Sequence, residues 1–203
     1  QHFVAKGIPV LGIEPAANVA EVAKIKKIPT WVKFFGQGTA GELVAERGKA
    51  DLVLGNNVLA QVPDINDFVA GIKILLASHG TVTIEFPHLM RLMEENQFDT
   101  IYHEHFFYFS LMSVERVFAA HGLTLFDVEE LPTHGGSLRI YGCHEGDKAQ
   151  PMTERYRELM RREKAAGFDR LETYALFAEQ VKETKRKLLE FLIEAKRKGK
   201  TVV

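Results

Sequence analysis

Residues 51–87, DLVLGNNVLAQVPDINDFVAGIKILLASHGTVTIEFP, decide the predicted fold. The apolar run Asp51–Gly55 predicts a buried strand that leads into Asn56-Asn57, and Thr81–Phe86 predicts a second strand that a proline stops. Between them, Asp64–Ala77 predicts a helix capped by its first residue. A strand, a helix and a strand joined by short links predict a parallel pair with the helix packed on the sheet.

The residues before this stretch continue the same alternation. Ile8–Glu14 and Ile28–Phe35 each predict a short strand, and Asn18–Lys27 and Thr39–Arg47 each predict a helix. The sequence therefore predicts an α/β fold with a mostly parallel sheet and helices on both faces.

Polar and aromatic residues fall where the predicted strands end: Glu14-Pro15, Phe35, Asn56-Asn57 and Glu85. Ligands of such sheets bind outside the carboxyl ends of the strands, and an acid there, here Glu14, commonly accepts hydrogen bonds from ribose hydroxyls. The alternative for Glu14 is a solvated strand end. The asparagines suit a plain turn equally well, and Phe35 suits the core.

The stretch Asp99–Ser110, DTIYHEHFFYFS, carries the candidate catalytic residues. Tyr102, His103, Glu104 and His105 stand beside the aromatic run Phe106–Phe109, and an apolar wall shifts pKa values. Histidine exchanges a proton near neutral pH, a carboxylate orients an imidazolium, and a phenol donates to an oxyanion.

Two other interpretations of this stretch stay open. One is a surface turn followed by a buried segment. The other is a metal site, because His103 and His105 would share a face of an extended segment and supply two zinc ligands. Zinc needs a third or fourth ligand, and nothing nearby has suitable spacing. We therefore expect no metal in this chain.

The next segment predicts a helix and a hairpin. Ser113–His121 predicts a helix that Ser113 caps, and Leu123–Glu129 and Ser137–Gly142 predict two strands. Their connection is too short for a crossover helix, so the pair is antiparallel. A parallel sheet that ends in an antiparallel hairpin suggests a Rossmann-like class I methyltransferase more than a dehydrogenase.

Beyond Glu145 the sequence becomes highly charged. Pro151–Ala166 and Phe168–Lys198 predict an amphipathic helical pair, and the basic run Lys196–Lys200 suits the negative end of a helix dipole. We therefore divide the chain into a partial methyltransferase domain at 1–147, a helical linker at 148–199 and the first strand of a C-terminal domain at 200–203.

Composition narrows the partners and the compartment. The net charge of −1 gives no basic field for nucleic acid or an anionic membrane, so we expect neither as a partner. The single cysteine, Cys143, has no intrachain partner, and no apolar run reaches membrane-spanning length. These features are typical of a cytoplasmic protein. The sequence leaves the oligomeric state open.

With these motifs placed, the chain resembles the S-adenosylmethionine-dependent C-methyltransferases of nucleotide-linked keto-deoxysugars. The resemblance extends from residue 1 to about Gly142 and continues toward the end of the chain, and Tyr102–His105 is its most specific part. The matching segments are Gly12–Pro15, Gly55–Ala60 with Pro63-Asp64, Ile84–Pro87, Asp99–Ser110 and His134–Arg139.

The resemblance implies roles for individual residues. His105 would be the base, with Tyr102 and Glu104 beside it. The cofactor S-adenosylmethionine would be bound by Glu14 at its ribose and lined by Pro15, Phe35, Asn56 and Asn57. The substrate, a nucleotide-linked keto-sugar, would meet Glu85, His88 and His134.

The chain also departs from the family pattern. Family members carry an N-terminal zinc-binding cysteine domain, a first strand with a glycine-rich cofactor loop and a second C-terminal domain. We expect 1–203 to be a piece that lacks these, so zinc would belong only to the absent domain. Gln61 stands where the family has a histidine.

The chemistry follows from the residues as well. A base removes a proton next to a carbonyl, and the enolate carbon then displaces the methyl group from the sulfonium in line. This needs a base, one or two donors for the enolate oxygen and a dry pocket. The alternatives are a nicotinamide-dependent sugar oxidoreductase and a non-catalytic nucleotide-binding module, since one fold hosts many functions.

Overall fold

The computed structural model describes residues 2–202. Six strands and eight α-helices form within this range. The strands are β1 Gly12–Ile13, β2 Thr30–Trp31, β3 Ala50–Asn56, β4 Leu76–Pro87, β5 Leu123–Leu131 and β6 Ser137–His144. The helices are α1 His2–Ala5, α2 Ala17–Ile25, α3 Gln37–Arg47, α4 Ile65–Leu75, α5 Leu89–Glu94, α6 Leu111–Ala120, α7 Glu154–Ala165 and α8 Leu171–Arg197.

The strands form two separate groups. Strands β1 and β2 pair in parallel, and the other four form a sheet in the order β3-β4-β6-β5. Strand β4 is parallel to β3 and antiparallel to β6, which is antiparallel to β5. The predicted parallel strands and terminal hairpin are confirmed. Within residues 2–202, β1 and β3 each pair on one side only, so each has an open edge.

One face of the four-stranded sheet holds the core. Val82, Ile84 and Phe86 on β4 are almost fully buried and pack with Val69 and Ile72 of α4. Burial of such side chains stabilises a fold by about 1.5–3 kcal/mol each. The apolar side of α4 therefore points toward this face of the sheet.

The other face departs from the prediction of a strand buried on both sides. Leu52 and Leu54 of β3 are 42% and 52% exposed, while Val53 between them packs against the core. The prediction that helices cover both faces of the sheet is wrong for β3. Apolar content alone did not distinguish a strand covered on both faces from one covered on a single face.

Two helix starts test the capping signals. Asp64 caps α4 as predicted, since its carboxylate accepts the backbone N–H of Asp67 at 3.0 Å. The predicted cap of α6 at Ser113 is wrong. The helix begins after Ser110, which caps it, and Ser113 returns the hydrogen bond in a capping box. Both serines suit a cap, and the earlier one gives α6 another turn.

The helical pair at the end of the chain is present, but its halves differ. Helix α7 buries Tyr156 and Leu159 in the same core as the sheet, whereas Leu176 and Phe191 of α8 are exposed. Helix α7 therefore packs into the same core as the sheet, although the prediction assigned it to a linker at 148–199. The strand predicted at 200–203 does not form within residues 200–202, and residue 203, like residue 1, lies outside the described residues.

Two glycines bring α3 and α4 together. A Cβ on Gly71 of α4 would lie 2.7 Å from the backbone carbon of Gly36, at the start of α3. Asp67 of α4 also accepts the backbone N–H of Gln37 at 3.1 Å. Close packing at this crossing joins the β1–β2 half of the molecule to the four-stranded sheet.

Candidate active site

A tight turn brings the two central candidate residues together. The backbone N–H of His105 donates to the carbonyl of Tyr102 at 3.1 Å, which closes the turn Tyr102–His105. The Tyr102 hydroxyl then lies 3.4 Å from Nε2 of His105, and the two rings are 4.5 Å apart. Because the segment turns here, the extended geometry that a zinc interpretation required is absent from it.

Two neighbours hold this turn. The backbone N–H of Tyr102 donates to the hydroxyl of Tyr108 at 3.2 Å, and the Tyr108 ring meets His105 edge to face at 5.6 Å. The N–H groups of Phe106 and Phe107 both donate to the carbonyl of Ala60, at 2.8 and 3.3 Å. The turn is therefore anchored to the loop that follows β3.

The aromatic run is less enclosed than the sequence predicted. Phe109 is buried against Phe86, with ring centroids 5.3 Å apart, but Phe106 is 57% exposed. The prediction of an apolar wall formed by all four aromatic residues is therefore wrong for Phe106. His103 and Glu104 are exposed at the turn. Among the hydrogen bonds of residues 2–202, the side chain of His105 has a partner in Tyr102 and none in Glu104.

Glu14 lies directly after β1, where the sequence placed it. One oxygen of its carboxylate accepts the backbone N–H of Ala16 at 2.9 Å, just ahead of α2. The side chain is half-buried and Pro15 beside it is exposed. This geometry holds a carboxylate at the carboxyl end of a parallel strand, which suits a ribose.

The other cofactor candidates divide into exposed and packed residues. Asn56 is exposed at the end of β3, whereas Asn57 has a φ of 52° and donates its N–H to the carbonyl of Glu85 at 2.8 Å. Phe35 packs edge to face on Phe68 at 5.2 Å, so it is largely a core residue. Phe34 beside it is 81% exposed and is the ring that faces solvent.

Glu85 is occupied by neighbours within the protein. Its two carboxylate oxygens accept from the hydroxyl of Thr133 at 3.1 Å and from the guanidinium of Arg139 at 2.8 Å. The hydrogen bond that Arg139 donates to Glu85 raises the pKa of Arg139, against the opposing effect of burial. Glu85 is buried, so the structure gives it the task of fixing the turn Thr133–Gly135 instead of the predicted substrate contact.

That turn presents His134 to solvent. Its φ of 52° lies in the left-handed region, which costs on the order of 1–3 kcal/mol in a residue other than glycine. The turn is held from below by Glu85 and from the side by Gln97, whose amide donates to the carbonyl of Gly135 at 2.7 Å. His134 therefore remains a candidate for substrate contact.

His88 disagrees with its predicted role as a substrate ligand. Its side chain is fully buried, and Nε2 lies 2.7 Å from the carboxylate of Glu163 on α7. Glu163 was not among the site residues predicted from the sequence. Its signal was an acid in the apolar register of an amphipathic helix, between Leu159 and Phe168 of the core.

Three further features bear on possible ligands and partners: metal-binding groups, membrane-spanning helices and surface concavities. No group of histidine, cysteine, aspartate or glutamate side chains within residues 2–202 is arranged to hold a metal ion. Across the same range, no helix combines the length and apolar character that a membrane crossing requires. Two shallow concavities of about 420 and 430 Å³ lie along α2 and β2, and neither includes a predicted site residue.

The strand order and the polar strand ends define an α/β protein of the methyltransferase class. Residues 1–128 match the family described as a methyltransferase domain, and residues 132–203 match the C-methyltransferase C-terminal domain. The first match covers more than half of the chain. The chain therefore belongs to the methyltransferase domain family.

A curated relative agrees with this assignment. The C-methyltransferase NovU of Streptomyces niveus is 34% identical over 202 residues, which is 98% of this chain and 47% of the relative. The chain thus spans about half the length of that protein. The predicted resemblance to C-methyltransferases is confirmed.

Solved structures agree on the fold. A SAM-dependent methyltransferase from Anabaena variabilis superposes with a TM-score of 0.53 at 14% identity, covering 70% of this chain and 71% of that one. A magnesium protoporphyrin IX methyltransferase from Synechocystis with bound SAH gives 0.52 at 11% identity, covering 70% and 66%. At such identities the likeness extends to the fold, and it confirms the predicted class I methyltransferase architecture.

Proposed function

We propose that the intact protein transfers a methyl group from S-adenosylmethionine to a sugar carbon next to a keto group of a nucleotide-linked sugar. The observation that carries the proposal is the Tyr102–His105 pair, a phenol and an imidazole 3.4 Å apart at the carboxyl edge of a methyltransferase sheet. The C-methyltransferase relative supports carbon as the acceptor atom.

The residues at the strand ends fit this cofactor. Glu14 presents a carboxylate held in place by the backbone N–H of Ala16, which suits the ribose hydroxyls, and Asn56 is exposed at the end of β3. Phe34 offers an exposed ring for the adenine, in place of the packed Phe35. When bound, S-adenosylmethionine supplies an electrophilic methyl group on a sulfonium.

His105 and Tyr102 then have complementary tasks. His105 removes the proton from the carbon next to the carbonyl, and Tyr102 donates a hydrogen bond to the oxygen on which the negative charge develops. These two substrate atoms are both bonded to the carbonyl carbon. A base and a donor that are direct neighbours suit such a pair, and the Tyr108 brace fixes their separation.

The alternatives weaken on the same observations. Family membership and the antiparallel hairpin favour methyl transfer over hydride transfer by a nicotinamide-dependent oxidoreductase. A non-catalytic nucleotide-binding module would have no use for a paired phenol and imidazole. Turnover of a nucleotide-linked keto-sugar separates that module from an enzyme.

Proton exchange tests the proposal directly. A base that acts before methyl transfer should exchange the substrate proton with deuterated water when S-adenosylhomocysteine replaces the methyl donor. His105→Ala should lose both exchange and methylation by roughly two to four orders of magnitude, as expected for loss of a general base. His103→Ala, which removes an exposed histidine two residues away, should retain both.

One result would overturn the assignment of the base. Full exchange in the His105→Ala enzyme would mean that Tyr102 or Glu104 is the base. Absence of methylation of any nucleotide-linked keto-sugar by the wild-type enzyme, despite binding of the cofactor, would remove the substrate class instead.

A further inference from the structure

A buried contact between a histidine and a carboxylate lies beneath the candidate site. His88 and Glu163 have side chains with no exposure to solvent, and Nε2 of His88 is 2.7 Å from the Glu163 carboxylate. His88 follows β4 and Glu163 is on α7, 75 residues further along the chain. The mechanism proposed above uses neither residue.

Glu163 also binds the start of α6. Its two oxygens accept the backbone N–H groups of Leu111 at 2.7 Å and Met112 at 2.8 Å. These N–H groups belong to the first turn of the helix and have no partner within it, and a negative charge suits this end of the helix dipole. Since α6 begins where the catalytic stretch Asp99–Ser110 ends, Glu163 fixes the exit of that stretch.

His88 sits where the three segments of the site meet. Its backbone N–H donates to the carbonyl of Gly136 at 3.0 Å, next to the turn of His134. His88 also forms a β-bridge with Phe109, whose carbonyl accepts the N–H of Leu89 at 2.9 Å. The end of β4, the catalytic stretch and the His134 turn are thus joined at one residue.

We propose that Glu163 and His88 are positioning residues, which hold the Tyr102–His105 turn and the His134 turn in register through a contact made by α7. The inference rests on the proposed function of that site. It assigns to α7 an indirect part in catalysis, because the helix positions the site and contributes no group to the substrate.

Stability alone is a poor explanation for this contact. Nδ1 of His88 is buried without a hydrogen-bond partner among the described residues, which costs free energy. Well-packed apolar residues of similar volume often replace buried polar or charged pairs with no loss of stability, whereas a buried hydrogen-bonded pair favours the arrangement of neighbours that satisfies it. A contact that specifies register across three segments matches that property.

Two amide substitutions at His88 isolate the contact. The amide of His88→Gln reaches the place of Nε2 and can donate to Glu163, whereas that of His88→Asn ends near the place of Nδ1 and cannot. We expect His88→Gln to retain most of the kcat. His88→Asn should lose about tenfold to hundredfold, typical of a displacement of about 1 Å at the chemistry.

The measurement is kcat and KM for methylation in the intact protein, below the melting temperature of each variant. The cofactor Kd should change little, because neither His88 nor Glu163 shares a hydrogen bond with Glu14. Glu163→Gln should lower kcat in the same way, and Glu158→Gln, the same change at an exposed site on α7, should not. Should His88→Asn fail to fold, Glu163→Gln decides.

The outcomes separate the two proposals. A lower melting temperature with unchanged kcat in His88→Asn or Glu163→Gln would make the contact purely structural and overturn the inference. Equal losses in His88→Gln and His88→Asn would do the same, because reach to Glu163 would then not matter. If His105→Ala also retains proton exchange, it is the proposed base that fails.

Discussion

The hydroxyl of Tyr102 lies 3.4 Å from Nε2 of His105, with the two rings tilted by 36°. The contact is long for a hydrogen bond, so neither group is committed to the other. Each remains available to a substrate that enters beside them. The pair is also partly exposed, which leaves room for the proposed substrate to approach.

Removal of the Tyr102 hydroxyl should therefore slow enolisation and leave cofactor binding intact. Tyr102→Phe keeps the ring against His105 and removes the donor, so exchange should slow by about 10²-fold, as for one lost oxyanion contact. The rate of deuterium incorporation measures this. Tyr174→Phe removes a hydroxyl that donates to the carbonyl of Phe168 and has no hydrogen bond to Tyr102 or His105, so it should not change exchange. Unchanged exchange in Tyr102→Phe would exclude the donor role.

Much of this architecture was predictable because it follows from local chemistry. Asp64 as a cap, the short link of the hairpin and the apolar runs of the strands each act within a few residues. The turn at Tyr102–His105 also lies within one short stretch. Such features need no knowledge of distant parts of the chain.

The features that escaped prediction depend on distant partners. His88 follows a strand end, where ligands bind, yet Glu163 draws its side chain inward from 75 residues away. Glu85 lies near the same end of β4, and its carboxylate accepts a hydrogen bond from Arg139 on the neighbouring strand β6, 54 residues away in sequence. Position at a strand end thus predicted proximity to the site, but the partner across the fold decided whether each side chain was free.

Glu14 gives a second testable expectation. If its carboxylate accepts hydrogen bonds from the cofactor ribose, their loss should cost about 1.5–3 kcal/mol. Glu14→Ala should then weaken S-adenosylmethionine by about one to two orders of magnitude, with little change of kcat at saturation. Calorimetric titration of the intact protein measures the Kd. Glu21→Ala, on the exposed side of α2, is the control, and an equal Kd for both variants would place Glu14 outside the site.

The open strand edges predict the behaviour of the 203-residue chain on its own. Glu14 follows the β1–β2 sheet and Asn56 ends a strand of the four-stranded sheet. No strand pairing joins these two sheets within the described residues, so the cofactor site should be loosely assembled. Open edges also favour association between chains. We expect S-adenosylmethionine binding weaker than micromolar, and aggregation that Leu54→Lys reduces. Titration and light scattering test both, and micromolar binding, about −8.2 kcal/mol, would contradict the first.

A glycine-to-alanine substitution should have opposite effects at two positions, one at the crossing of α3 and α4 and one away from it. Gly71→Ala would press a methyl group into the backbone of Gly36, and overpacking of this kind costs about 1–3 kcal/mol. Gly41→Ala lies within α3 with open space around it and should stabilise by roughly 0.5–1 kcal/mol. Thermal unfolding of the two variants measures the difference, and equal melting temperatures would show that the crossing is loose.

Asp127 predicts how stability depends on pH. Burial alone would raise its pKa, but hydrogen bonds from Arg155, Thr153 and the N–H of Val128 outweigh it and hold the pKa below the ordinary value of 3.8. A carboxyl whose pKa is lower in the folded state stabilises the fold above its unfolded pKa. That contribution disappears as the pH falls through the folded pKa.

The free energy of unfolding should therefore decrease as the pH drops below about 4, and Asp127→Asn should reduce this pH dependence. At neutral pH the variant should lose about 1.5–3 kcal/mol, because Asp127 joins β5 to the first turn of α7 by charged hydrogen bonds. Urea titrations between pH 2 and 7 measure both effects. Glu154→Gln, an exposed carboxylate at the start of α7, is the control. If the two variants show the same acid dependence, Asp127 is not the group that senses pH.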